Sequence, residues 1–113
     1  MEEFQQRIPF HARLKESTEI RLLHINQIPV IVHIENKKGE YKQKYIVNPD
    51  YTLSTFMSII RKRESLRPHE SFFVLISDKI MPTISTTMLE LYRQYSEMDG
   101  LLYITFMKES TFG

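Results

Sequence analysis

Four histidines, His11, His24, His33 and His69, are the side chains of this 113-residue chain best suited to metal binding or proton transfer, and their spacing serves neither. No pair forms an HxxxH or HExxH pattern, which would put two imidazoles on one helix face, and no acid stands at a spacing that would pair with them. The absence of cysteine excludes thiol catalysis, disulfides and thiolate zinc sites together, and suits a reducing compartment such as the cytosol. The three glycines, Gly39, Gly100 and Gly113, stand at turns or at the end, so there is no GxGxxG or GKS/T phosphate loop. Ser85-Thr86-Thr87 precedes a helical pattern, where capping accounts for its hydroxyls. These residues do not assemble a nucleophile, a base and an oxyanion site, and the expectation is a protein that is not an enzyme and holds no metal or cofactor.

What remains is the chemistry of surfaces. A net charge of +1 does not indicate a general nucleic-acid binder, and Arg61-Lys62-Arg63 with nearby tyrosines supports that reading only weakly; no nucleic-acid partner is expected. The charge is unevenly placed. Residues 1–70 hold 12 Lys/Arg against 9 Asp/Glu, a balance of +3, whereas residues 71–113 hold 3 against 5, a balance of −2. This is either ordinary solvated surface or a basic face that meets acidic peptides, anionic lipid or an acidic protein. With 42% hydrophobic residues the length fits one domain with a real core. The start, Met1 to Arg7, lacks a signal-peptide apolar stretch, and the longest apolar runs, such as Phe72 to Ile76, fall far below the roughly 20 residues of a membrane span. A soluble protein is expected, with any membrane contact made by surface attraction or covalent anchoring.

The elements that would position these surfaces are readable from periodicity and punctuation. Phe10, Leu14, Ile20 and Leu23 recur at helical spacing after Pro9 and predict an amphipathic helix; Glu2 to Ile8 forms a turn or a second small helix. Gln27 to Ile34 is β-branched, with Pro29 arguing for an early or edge position, and Lys42 to Val47 continues as its hairpin partner. Thr52 reads as the N-cap of a helix whose buried stripe is Leu53, Phe56, Met57, Ile59 and Ile60, with Arg61-Lys62-Arg63 near its C-terminal end. Phe72 to Ile76 is a near-continuous apolar run and predicts a central strand covered on both faces. A helix over Thr86 to Tyr95 and a last strand over Leu101 to Met107 follow. The order predicts an α+β domain with a four-stranded mixed sheet and its helices on one side, the β-grasp architecture of ubiquitin with an added N-terminal helix. The expected divisions are an N-terminal helical extension over 1–26, a ubiquitin-like core over 27–109 and a tail over 110–113, within a single domain.

Three segments carry a resemblance that is more specific. Lys44-Tyr-Ile-Val47, Phe56 with Ile60-Arg-Lys-Arg63, and Leu102-Tyr-Ile-Thr105 with Ser110-Thr-Phe-Gly113 closely resemble the GABARAP-like autophagy modifiers. Ile8-Pro9-Phe10, Ile28-Pro-Val-Ile31 and Met88 to Tyr92 fit the same pattern, and the similarity runs over essentially the whole chain. The chain also departs from that pattern. Glu35 to Tyr41 is shorter than the family loop, and an extra residue lies between Pro82 and Met88. Ile8 replaces a usual histidine, Asn48 a usual proline, Tyr51 a usual leucine and Leu101 a common phenylalanine. These changes mark a divergent member with an altered peptide preference, above all at its second pocket.

The resemblance implies two activities. The first is conjugation through Gly113 to phosphatidylethanolamine by ubiquitin-like activating and conjugating enzymes, with a cysteine protease for processing and delipidation. Glycine suits that end because it has no side chain to clash in the narrow adenylation and thioester sites. The second is capture of an aromatic-x-x-aliphatic peptide, often flanked by acids, on the edge of the Lys42 to Val47 strand. The resemblance assigns Glu16, Ile20, Pro29, Ile31, Lys44, Ile46 and Leu101 to a first pocket that accepts the aromatic residue. It assigns Tyr45, Val47, Tyr51, Phe56, Ile59, Ile60 and Arg63 to a second pocket that accepts the aliphatic one. Lys42, Lys44 and Arg63 would attract the flanking acids. The implied partners are peptide motifs of cargo receptors and autophagy factors, and the implied places are the cytoplasm and autophagosomal or vacuolar-type membranes. The alternative function is an unconjugated peptide-binding adaptor in vesicle trafficking or cytoskeletal attachment.

Overall fold

The computed structural model describes residues 2–35, 42–67 and 69–109. Helices α1 (Glu2–Arg7) and α2 (Phe10–Leu23) lead into strands β1 (Ile28–Ile34) and β2 (Lys42–Val47). Then come α3 (Leu53–Arg63), β3 (Phe72–Ile76), α4 (Met88–Tyr95) and β4 (Leu102–Lys108). One four-stranded sheet has the order β2-β1-β4-β3, with β1 and β4 parallel and the outer pairs antiparallel. β1 is therefore an inner strand, and Pro29 is tolerated as its second residue. The expectation of a central Phe72 to Ile76 strand is corrected, because β3 forms the far edge. Its apolar run arises because Val74 and Ile76 fill the core while Phe72, Phe73 and Leu75 are half-buried.

Alternation along the strands divides the core in two. Val30, Val32 and Ile34 of β1, with Leu102, Ile104 and Phe106 of β4, pack against Leu53, Phe56 and Ile60 of α3 and Met88 and Leu91 of α4. Ile31 and Tyr103 point to the opposite face, where Phe4 of α1, Leu101 and the adjacent Ile8 cover them. Helices thus flank both faces, which corrects the expectation that they share one side. The physical reason is that both inner strands are apolar at odd as well as even positions, so each face needs a cover.

Local chemistry sets where α3 and α4 begin. The Thr52 hydroxyl accepts from the Thr55 N–H at 3.1 Å, and the Thr87 hydroxyl accepts from the Glu90 N–H at 3.1 Å. The two starts are also tied together, since Leu53 donates to the Thr86 carbonyl and Met88 to the Tyr51 carbonyl, both at 2.8 Å.

The amphipathic reading of α2 fails in detail. Phe10, Leu14 and Leu23 are exposed, and the buried residue of the helix is Ser17. The helix is held by polar contacts with the turn before β4. Arg13 pairs with Asp99 at 2.5 Å and donates to the Ile8 carbonyl at 2.8 Å, the Tyr103 hydroxyl donates to Asp99, and the Ser17 hydroxyl donates to the Asp99 carbonyl. Burial, and then the hydrogen bond to Asp99, push the Tyr103 phenol well above its ordinary pKa. Gly100 completes the seam at φ +81°, where a Cβ would lie 2.6 Å from the Ser17 Oγ. Among the described residues, no helix is long and apolar enough to cross a membrane.

Candidate functional site

β2 pairs with β1 on one side only, so its other edge offers backbone donors and acceptors to an extended ligand. Side chains on this strand alternate between two surroundings. Tyr45 and Val47 join the α3-face core at 8% and 5% exposure, while Lys44 and Ile46 point to the α2 face, where the Lys44 ammonium pairs with Glu16. Burial pushes the Lys44 pKa below its ordinary value.

A cavity of about 480 Å³ opens beside the C-terminal half of β2. The hairpin register brings Gln27, the residue before β1, to one wall beside Val47 and Asn48, and the first turns of α3 bring Phe56 and Ile59 to another. The Tyr45 ring meets Phe56 edge-on, with centroids 6.1 Å apart and planes at 87°. The Arg63 guanidinium lies over the same tyrosine ring at 5.8 Å, so a cation stands at the rim of the cavity. The Tyr45 hydroxyl donates to Glu64 Oε2 at 2.5 Å.

Of the residues assigned to the second pocket, Tyr45, Val47, Tyr51, Phe56, Ile59 and Arg63 line this single cavity. Ile60 does not. It is fully buried one helical step away, packed in the core between α3 and the sheet. Gln27 and Asn48 also line the cavity and escaped the sequence reading, because single polar residues just before β1 and just after β2 carry no pattern of their own. Glu64 escaped it too, since a charged residue after Arg61-Lys62-Arg63 reads as solvated surface; it is 9% exposed.

The residues assigned to the first pocket are spread more widely. Lys44 and Ile46 line the same cavity, and Glu16 approaches through its ion pair with Lys44. Ile20 is half-buried on α2, and Pro29 is buried in β1. Ile31 and Leu101, at 1% exposure each, lie in the cluster closed by Phe4, so in this arrangement they present no surface to a ligand. Gly113 lies outside the described residues, as do 36–41 of the hairpin loop; β4 ends at Lys108.

The family model described as autophagy protein Atg8 ubiquitin like matches residues 12–113. Microtubule-associated protein 1 light chain 3 gamma of Homo sapiens is 37% identical over 114 residues, covering 97% of this chain and 78% of that protein. Autophagy-related protein 8 of Candida glabrata is 37% identical over 113 residues, covering 97% of this chain and 95% of that one. Among solved structures, the crystal structure of Trypanosoma brucei ATG8 superposes with a TM-score of 0.84 at 30% identity, covering 97% of each chain.

Proposed function

This chain belongs to the Atg8 ubiquitin-like family of autophagy proteins, and from that premise we propose that it is a lipid-conjugated modifier whose β2 edge captures short peptides. Its ubiquitin-like fold and its place among autophagy modifiers stand on the family itself. The observation that carries the peptide reading is the open edge of β2 running directly beside a cavity of about 480 Å³ lined by Tyr45, Val47, Phe56 and Ile59.

A peptide added to β2 satisfies its backbone polar groups on the strand and sends alternate side chains to opposite faces. On the α3 face an aliphatic side chain enters the cavity, gaining roughly 1.5–3 kcal/mol from full burial. On the α2 face an aromatic side chain rests on Lys44, Ile46 and the flank of Glu16 and Ile20. Lys44 and Arg63 favour acids beside the motif, each such exposed pair contributing about 0–1 kcal/mol. Affinity therefore comes from the buried side chains and the added strand, and the charges set orientation and rate.

Gly113 is the proposed point of attachment to phosphatidylethanolamine, through ubiquitin-like activating and conjugating enzymes and reversed by a cysteine protease. Two acyl chains, at roughly 0.8 kcal/mol per buried CH₂, anchor a domain that supplies no membrane-spanning helix among its described residues. The proposed partners are peptide motifs of cargo receptors and autophagy factors, met in the cytoplasm and on autophagosomal or vacuolar-type membranes.

Intact mass of the protein from the membrane fraction of its own cells tests the conjugation. An increment of phosphatidylethanolamine minus water, mapped to Gly113 and lost in Gly113→Ala, is expected. Unmodified mass with cytosolic recovery, during starvation as well as growth, would refute it and favour the unconjugated adaptor. Titration with an acidic aromatic-x-x-aliphatic peptide tests the other half, and no binding to the wild-type chain would sink it.

A further inference from the structure

Helix α2 runs alongside β2 and is held there at two points. Glu16, near its middle, pairs with Lys44 of β2. At its end the His24 N–H donates to the Ile20 carbonyl at 2.8 Å, and the Gln27 N–H donates to the His24 carbonyl at 2.9 Å. β1 then starts at Ile28, opposite Val47. The helical rise from Glu16 to Leu23 and the strand rise from Lys44 to Val47 are each about 10 Å. Leu23 therefore stands level with the end of β2, at the same end of the sheet as Gln27 and Asn48 of the cavity wall.

Glu16, Ile20 and Leu23 recur at i, i+4 and i+7, so they share one face of α2. Along that face the cover runs out: Glu16 and Ile20 are half-buried, whereas Leu23 is 79% exposed. Ile25, in the turn that follows, is 81% exposed. The basic residue of the last turn, Arg21, lies over the Tyr92 ring at 5.4 Å, so its charge is directed to α4 and Leu23 offers apolar area. Leu22 is exposed as well, but its place in the helical period turns it to a different side of α2.

An extended peptide added to the free edge of β2 leaves that strand at Val47 with one of its flanks, whichever way it runs. Three or four extended residues span about 10–14 Å, enough to carry the flank from the strand edge onto the end of the helix. We propose that Leu23, with Ile25 in the next turn, is a docking point for an apolar side chain in the flank of the bound peptide, so that the ligand is longer than the segment paired with β2. The occupant is the ligand's own flank because this patch is continuous, through Gln27, with the cavity beside the strand. The proposal rests on the peptide-capture reading and extends the surface of that same site.

The test uses the full chain and calorimetric titration with three acidic peptides. The core peptide carries tryptophan, two spacers and leucine; the second adds two glycines and two leucines after that core, and the third adds them ahead of it. One of the two extended peptides is expected to bind wild type about three- to tenfold tighter than the core peptide, from partial burial of its added leucines. In Leu23→Ser combined with Ile25→Ser that ratio falls to about one, and Leu22→Ser keeps it within about twofold of wild type. All three substitutions are at exposed side chains, so the fold is retained. Equal wild-type affinity for all three peptides overturns this inference alone. A ratio that survives in the double variant, a fall of the same size in Leu22→Ser, or a gain shared by both extended peptides overturns it as well. Binding of none of the three sinks the peptide-capture reading and the inference with it.

Discussion

Replacing Gly100 with alanine acts on two terms that the structure separates. The first is conformational: at φ +81° an L side chain is disfavoured by roughly 1–2 kcal/mol whatever surrounds it. The second is steric, because the new methyl would lie 2.6 Å from the Ser17 Oγ and 3.2 Å from its Cβ. The hydroxyl can swing away only by releasing the Asp99 carbonyl, and leaving that buried acceptor unsatisfied costs about 1–3 kcal/mol. Gly100→Ala should therefore destabilise the fold by about 2–5 kcal/mol, which is a large share of the roughly 5–15 kcal/mol available to a domain. Urea unfolding followed by circular dichroism measures this. The decisive variant is the double substitution with Ser17→Gly, which removes both atoms that the methyl would meet. Ser17→Gly alone leaves the same acceptor unsatisfied and adds a mid-helix glycine, together about 2–4 kcal/mol. If the clash is real, the double variant is more stable than the sum of the two losses by at least about 1 kcal/mol. Strict additivity would show that α2 does not dock on Gly100 in the way described.

Three further outcomes follow from the same geometry. Arg13→Met strands Asp99, whose side chain is 1% exposed, and should cost about 3–5 kcal/mol in chemical denaturation; a loss under about 1 kcal/mol would mean that the pair is hydrated in solution. Tyr103 has a raised folded-state pKa, so the folded chain holds this proton more tightly than the unfolded one, and its stabilising contribution is complete below the ordinary tyrosine value near 10 and declines as pH rises above it. Stability should fall from pH 9 to pH 11, and Tyr103→Phe should flatten that slope; an equal slope in the variant would refute the assignment. Lys44→Glu with Ile46→Asp places charge on the exposed side of β2 and should abolish the proposed peptide binding while lowering the unfolding free energy in urea by little more than about 1 kcal/mol, since neither residue is in the core.

Element type was legible wherever one local rule dominated. Thr52 and Thr87 precede apolar helical stripes, and both cap as such residues do. The strands were legible from β-branched runs, and the β1–β2 hairpin from the polar loop between them. What failed was placement, because placement depends on partners distant in sequence. Phe72 to Ile76 looks internal by composition, yet β4 takes the central position beside β1 and leaves β3 at the edge. Phe10, Leu14 and Leu23 recur at helical spacing, but the α2 contact is decided by Arg13 and Ser17, polar residues whose partners are 86 and 82 positions away. The resemblance grouped most of the residues that line the α3-face cavity, but Ile60 was not separable from them, nor Ile31 from the other residues assigned to the first pocket, since periodicity shows which face a residue is on and not how deep it lies. Glu64 had no local signal at all, because its burial depends on a hydrogen bond from Tyr45 of β2, 19 positions away.

The two faces of β2 therefore differ in what they can change independently. Tyr45, Val47 and Phe56 serve the cavity and the core together, so a substitution there alters the stability of the fold and the shape of the cavity at once. On the other face, Lys44 and Ile46 stand outside the core clusters, and their surroundings on α2 are held by the Arg13, Ser17 and Asp99 seam. On the proposed peptide-capture reading, preference on that face shifts through Lys44 and Ile46 with little loss of stability. The cavity on the α3 face shares Tyr45, Val47 and Phe56 with the core, whereas Gln27, Asn48 and Tyr51 line it from exposed positions. That coupling predicts that substitutions at Tyr45, Val47 or Phe56 will carry a stability change in urea unfolding, and that a substitution of the exposed Tyr51 side chain will not.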